Sequence, residues 1–108
     1  MNTGFVNHEI YLWHNTGNYA SIMPYGNPVQ PGEHAENPET KRRFRNLLEV
    51  SGLFSQLQAI EARAATEQEI LRFHTQEHLD RVKLLSANEG GDAGIFSPIG
   101  RGSYEIAA

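Results

Sequence analysis

The sequence has no cysteine, which excludes disulfide staples and thiolate metal ligands together and leaves nothing that depends on a redox compartment. It has no apolar run approaching the ~20 residues that cross a bilayer, and its start, "MNTGFVNHE", lacks the basic residues and apolar stretch of a secretion signal. A soluble, cytoplasmic chain with no membrane partner is therefore expected. Excess positive charge is missing as well. With 9 basic and 13 acidic side chains the net charge is −4, the wrong sign for a nucleic-acid partner. No internal repeat or low-complexity segment occurs, and no serine sits in a nucleophile-elbow context, so acyl-enzyme chemistry has no support.

The 108 residues that are present suit one domain, 1–108, with a modest core. Residues 3–7 read as a short strand, because Phe5 and Val6 favour strands between Gly4 and a polar exit. From about 8 to 36 an irregular loop is expected, interrupted by Gly17, Pro24, Gly26, Pro28, Pro31 and Gly32. Its Ile10, Tyr11, Leu12, Trp13, Tyr19, Ile22, Met23 and Tyr25 make it too apolar for a solvated linker, so it should cover or bind something.

Asn37 as cap, Pro38 at the first helical position and Glu39 at the positive end of the dipole predict a helix over 37–51. Phe44, Leu47 and Leu48 are its expected buried stripe, and Gly52 ends it. Residues 57–65 alternate as a strand, with Ile60, Ala62 and Ala64 on one side and Glu61 and Arg63 on the other. "TEQE", 66–69, is a capping box opening a short helix with Ile70, Leu71 and Phe73. Thr75 caps a further helix, about 76–87, with Leu79, Val82 and Leu85 at helical spacing. A Gly-rich irregular loop is expected over about 88–103, and "YEIAA" looks like the first turn of one more helix. The element order predicts an α/β layer with two short parallel strands joined by a right-handed crossover, about three helices and long loops. So small a parallel sheet leaves apolar surface uncovered.

His74, Glu77 and His78 have the H-x-x-E-H spacing of a zinc-peptidase motif. That chemistry needs both histidines on one continuous helix. A cap at Thr75 separates them, and Glu77 has Arg81 four residues on as an ordinary helix partner. They are therefore read as structural, and no metal ligand is assigned. "KRRFR", 41–45, reads as a solvated face, with Lys41, Arg42 and Arg45 compensated by Glu39 and Glu49, and Arg43 able to pair with Glu39. "GGDAG" and "GRGS" lack the spacing of phosphate-cradling loops. His8 and His14, flanking Trp13, read as loop anchors or pocket-lining groups.

The segments "TGFVNHEIYLWHNTGNYA", "HAENPETKRRFRNLLEVSGL", "IEARAATEQEILRFHTQEHLDRVKLLS" and "GGDAG…GRGSYEIA" resemble, in order and spacing, the N-terminal part of class II-type histone deacetylases and their bacterial relatives, acetylpolyamine amidohydrolases among them. The most specific part runs from His34 to Ser86. The resemblance implies part of an arginase-like α/β fold from a zinc-dependent amide hydrolase. It implies that the tandem catalytic histidines, the zinc ligands and the transition-state tyrosine belong beyond Ala108, so no cofactor is expected on this chain. It further implies a substrate rim from the loop around Tyr11, Trp13 and His14 and from that around Asp92. Relatives often place there an acid that grips the substrate backbone, and Ile95 stands close to its expected position. The segment with His74 and His78 is implied to be scaffold.

These readings combine into a deacetylase-like N-terminal segment, non-catalytic alone, whose apolar surface is covered by a second copy or another protein chain. One alternative is part of a split zinc-dependent amidohydrolase, active when a second polypeptide complements it. Another is a small-molecule binding module using the aromatic loop 11–25.

Overall fold

The computed structural model describes residues 3–17, 19–20, 23–24, 30 and 32–108, with 19–20 and 23–24 described by backbone alone. Helices and a few strands, one pair of them parallel, give the mixed α/β character expected of the sequence. The parallel pair is β1, Gly4–Val6, and β4, Gln58–Ile60, in the register Gly4↔Gln58, Phe5↔Ala59, Val6↔Ile60. Between them in sequence lie β2, Tyr19–Ala20, its antiparallel neighbour β3, Met23–Pro24, and the helix α1, Pro38–Val50. Asn37 caps α1, its Oδ1 accepting from the Glu39 amide at 2.9 Å. Beyond α1, Gly52 takes φ 75°, where a Cβ would meet no atom within 4 Å, so backbone conformation alone asks for glycine.

Two 3-10 turns, Glu9–Trp13 and Leu53–Gln56, pack against α1. Phe54 of the second meets Phe5 of β1 edge to face at 5.4 Å, tying helix, turn and sheet together.

The expected capping box is present at α2, Glu67–Ile70. The Thr66 amide donates to Glu69 Oε2 at 2.9 Å and the Glu69 amide to Thr66 Oγ1 at 3.3 Å. Thr75 caps α3, Gln76–Ala87, accepting from the His78 amide at 3.2 Å. The hairpin of β5, Gly91–Asp92, and β6, Pro98–Ile99, leads to α4, Ser103–Ala107. Ser86, fully buried on α3, holds α4 in place. Its Oγ donates to Glu105 Oε2 and accepts from the Tyr104 amide, both at 2.9 Å.

Four expectations need correction. The loop 8–36 is not irregular throughout, since its described part holds a 3-10 turn and the β2–β3 pair; Ile22, Tyr25, Gly26, Pro28 and Pro31 lie outside the described residues. The strand expected over 57–65 stops at Ile60, where the three-residue β1 offers no further pairing. The Gly-rich loop 88–103 contains the β5–β6 hairpin, made possible by Gly90 and Gly91 at φ 89° and 150°. Of the stripe expected on α1 only Leu48 is buried, while Phe44 and Leu47 are 58% and 64% exposed, because α1 packs on the two turns and leaves that face open.

Among the described residues the buried apolar core is Leu48, Leu79 and Ala93. The chain is a slab of 49 × 35 × 18 Å with a radius of gyration of 16.2 Å, against about 13 Å for a compact domain of this length. Its accessible surface is 8149 Å², against about 6,000 Å² for a compact monomer of 12.1 kDa.

Candidate functional site

A cleft of about 480 Å³ opens where the stretch after the first 3-10 turn meets the start of α1 and the β5–β6 hairpin. His8 caps the turn, its Nδ1 accepting from the Ile10 amide at 3.1 Å. The turn delivers Tyr11 and His14 to the cleft, and Asn15 closes the next bend by accepting from the Gly17 amide at 2.8 Å. Opposite stand Phe96, Ser97, Pro98 and Ile99.

The hairpin lies directly on the His14 stretch, since a Cβ on Gly100 would come within 3.0 Å of the Asn15 backbone oxygen. The floor is the approach to α1. His34, 3% exposed, accepts at Nδ1 from the Glu36 amide at 2.9 Å, and its carbonyl accepts from Asn37 Nδ2 at 2.8 Å. Lys41 pairs with Glu36 at 2.8 Å and supplies the cleft's cation.

Electrostatics in the cleft favour a neutral imidazole. His14 is half-buried, and its Nε2 is enclosed without a hydrogen-bond partner among the described residues. Burial, then the nearby Lys41 charge, lowers its pKa from the ordinary 6.5. The remaining Lys41 neighbour, Glu36, is held below its usual value by that ammonium.

The four rim candidates are therefore divided. Tyr11 and His14 line the cleft together; Trp13, 71% exposed, and Asp92 do not line it. Asp92 instead accepts at Oδ1 from the amides of Gly94 at 3.0 Å and Ser97 at 2.9 Å, directly beside the wall. His34, Phe96, Ser97, Pro98 and Ile99 also line the cleft, and sequence spacing does not single them out. His34 carries a faint signal, three residues ahead of the helix cap. Phe96 carries none, because its φ of 57° is a conformation normally left to glycine.

A second cleft, about 460 Å³, is bordered by Ile70, Phe73, Val82 and Tyr104 and also by His74 and His78. The two imidazoles stack at 5.1 Å, and Glu77 faces Arg81 at 3.5 Å. Thr75 lies between the histidines as a cap, so the H-x-x-E-H residues do not share one helix. Among the described residues no group of three or more histidine, aspartate or glutamate side chains is placed to hold a metal. His74, Glu77 and His78 thus lack the single-helix arrangement of the zinc-peptidase motif.

The basic run of α1 is neutralised locally. Arg42 meets Glu39 at 3.1 Å and Glu9 at 3.5 Å, and Arg45 meets Glu49 at 3.3 Å. Glu39 is within reach of both Arg42 and Arg43, three and four residues on, and among the described residues it pairs with Arg42.

No helix among the described residues is long and apolar enough to cross a membrane. No family model matches the sequence. The chain is similar to a protein of Pseudomonas aeruginosa named "Histone deacetylase-like amidohydrolase", 48% identical over an alignment of 108 positions that covers 97% of this chain. It spans about 28% of that relative's length. An identity so high, sustained along nearly the whole sequence from the β1 stretch to the α4 stretch, makes the chain a member of the histone deacetylase-like amidohydrolase family.

Proposed function

We propose that this chain is a docking segment of a histone deacetylase-like amidohydrolase: non-catalytic by itself, it supplies scaffold and part of a substrate rim and is covered by the remainder of an arginase-like fold. One observation carries the reading. The chain exposes about 2,000 Å² more than a compact monomer of its mass, the area of a substantial protein interface. That surface is apolar where it is most open, at Val50, Phe73 and Ile95, each at least 87% exposed. The occupant that fits best is the rest of the fold, because this chain corresponds to about 28% of the length of its relative. The metal, in this reading, belongs to that remainder, as does the chemistry of amide cleavage.

Complementation tests the proposal. The 108-residue chain and the part of the Pseudomonas relative outside the aligned stretch are produced separately, then assayed on an acetyl-lysine amide alone and mixed. Neither alone should hydrolyse it, the mixture should, and light scattering should show a heterodimer. The same area would also suit self-association, which the scattering of the chain alone reads directly. A monomer that stays well folded at micromolar concentration and never binds the remainder contradicts the proposal. So does stoichiometric zinc on the isolated chain.

A further inference from the structure

The β5–β6 hairpin has a short tip whose shape depends on one carboxylate. Asp92 Oδ1 accepts from the Gly94 and Ser97 amides, and the Ala93 amide closes the loop onto the Ser97 carbonyl at 3.0 Å. Between these bonds Phe96 is held at φ 57°, and among the described residues it is the one non-glycine residue with positive φ. Left-handed backbone is disfavoured for a bulky residue, so the surrounding bonds must over-determine it. Phe96, Ser97 and Pro98 then form the cleft wall facing Tyr11 and His14. The Ser97 amide, ahead of those of Gly94 and Phe96, keeps the Asp92 carboxyl below its usual range, consistent with a carboxylate committed to its own loop.

We infer that Asp92 is a positioning residue: by gathering the tip amides it sets Phe96 and Ser97 as the cleft wall, and it does not itself contact what the cleft receives. The inference rests on the reading of this cleft as part of a substrate rim. Its measurements need neither hydrolysis nor a partner, so failed complementation leaves them interpretable. Because both bonds end on one oxygen, an asparagine carbonyl can replace that oxygen and alanine cannot.

The test uses the whole chain and two readouts: amide hydrogen exchange at Gly94 and Ser97, and NMR titration of His14 as a reporter of wall closure. The other titratable or charged groups around His14 in the cleft are Tyr11, His34, Glu36 and Lys41, and no variant alters them. In the parent both amides should be protected and His14 should titrate below 6.5. Asp92→Ala should speed exchange roughly tenfold or more and return the His14 midpoint toward its ordinary value. Asp92→Asn should stay within about threefold of the parent in exchange and keep the lowered His14 midpoint. Phe96→Gly placed in the alanine variant should recover part of the protection, since glycine adopts the left-handed backbone freely. Unprotected Gly94 and Ser97 amides in the parent would overturn the inference. So would Asp92→Asn behaving as Asp92→Ala, or an alanine variant that changes neither readout. Should Asp92→Ala fail to fold, the parent and Asp92→Asn measurements decide alone.

Discussion

Ser86 illustrates at the level of one side chain how few polar bonds fix α4 onto α3. It is 2% exposed, and its hydroxyl both donates to Glu105 and accepts from the Tyr104 amide. The Gly102 amide also reaches the Ser86 carbonyl at 3.0 Å. Ser86→Ala leaves the Tyr104 amide without its acceptor and should cost about 1–3 kcal/mol, the penalty of an unsatisfied buried donor. Ser86→Val adds bulk to the same site and should cost more. Urea denaturation of the three proteins measures both. Equal midpoints would mean that α4 docks by its apolar residues, Ile106 foremost, and not through this hydroxyl. Nothing in the sequence marks Ser86 for this role, because a serine inside a helical run reads as surface until its long-range partners are known.

The elements that were legible in sequence are those specified by their own neighbours. Thr66 and Glu69 formed a recognisable capping box, and the structure adds Arg63, whose guanidinium meets both Glu69 oxygens at 2.7 and 2.9 Å. That pairing, before the Thr66 bonds, holds the Glu69 carboxyl well below its usual 4.5. A carboxyl with a depressed folded pKa contributes stability that is complete above the unfolded value and is lost as pH falls toward the folded one. Glu69→Gln should therefore flatten the loss of stability below about pH 4.5 and leave its pH dependence near neutrality unchanged, as melting temperature against pH would show. The caps at Asn37 and Thr75 were readable for the same local reason. What was not readable depended on layers brought in from elsewhere. The alternation over 57–65 looks like a strand, yet pairing is set by a three-residue partner and ends at Ile60. Phe44, Leu47 and Leu48 mark an apolar face correctly, but only packing decides that Leu48 is covered and the other two are not. At the cleft, Tyr11 and His14 were found by resemblance, whereas Asp92 acts one step back from the wall, a distinction that spacing cannot make.

At the scale of the whole molecule, an 18 Å thickness leaves room for little more than one layer on another, and the surface excess follows from it. The outer face of α1 is where this becomes testable, because Leu47 and Val50 lie there 64% and 89% exposed with Phe44 beside them. In the isolated chain these side chains already face water. Leu47→Ser together with Val50→Ser should thus shift unfolding free energy by no more than about 0.5 kcal/mol per site. In the proposed complex the same face would be dry. Each apolar side chain withdrawn from water there contributes roughly 1.5–3 kcal/mol, so the double variant should raise the Kd for the complementing remainder at least about a hundredfold. Titrating the remainder with parent and variant chains, with restored hydrolysis or light scattering as the signal, compares the two numbers directly. A variant that is destabilised alone but binds as tightly as the parent would place these residues in the chain's own packing and move the docking surface to the other open side, toward Phe73 and Leu84.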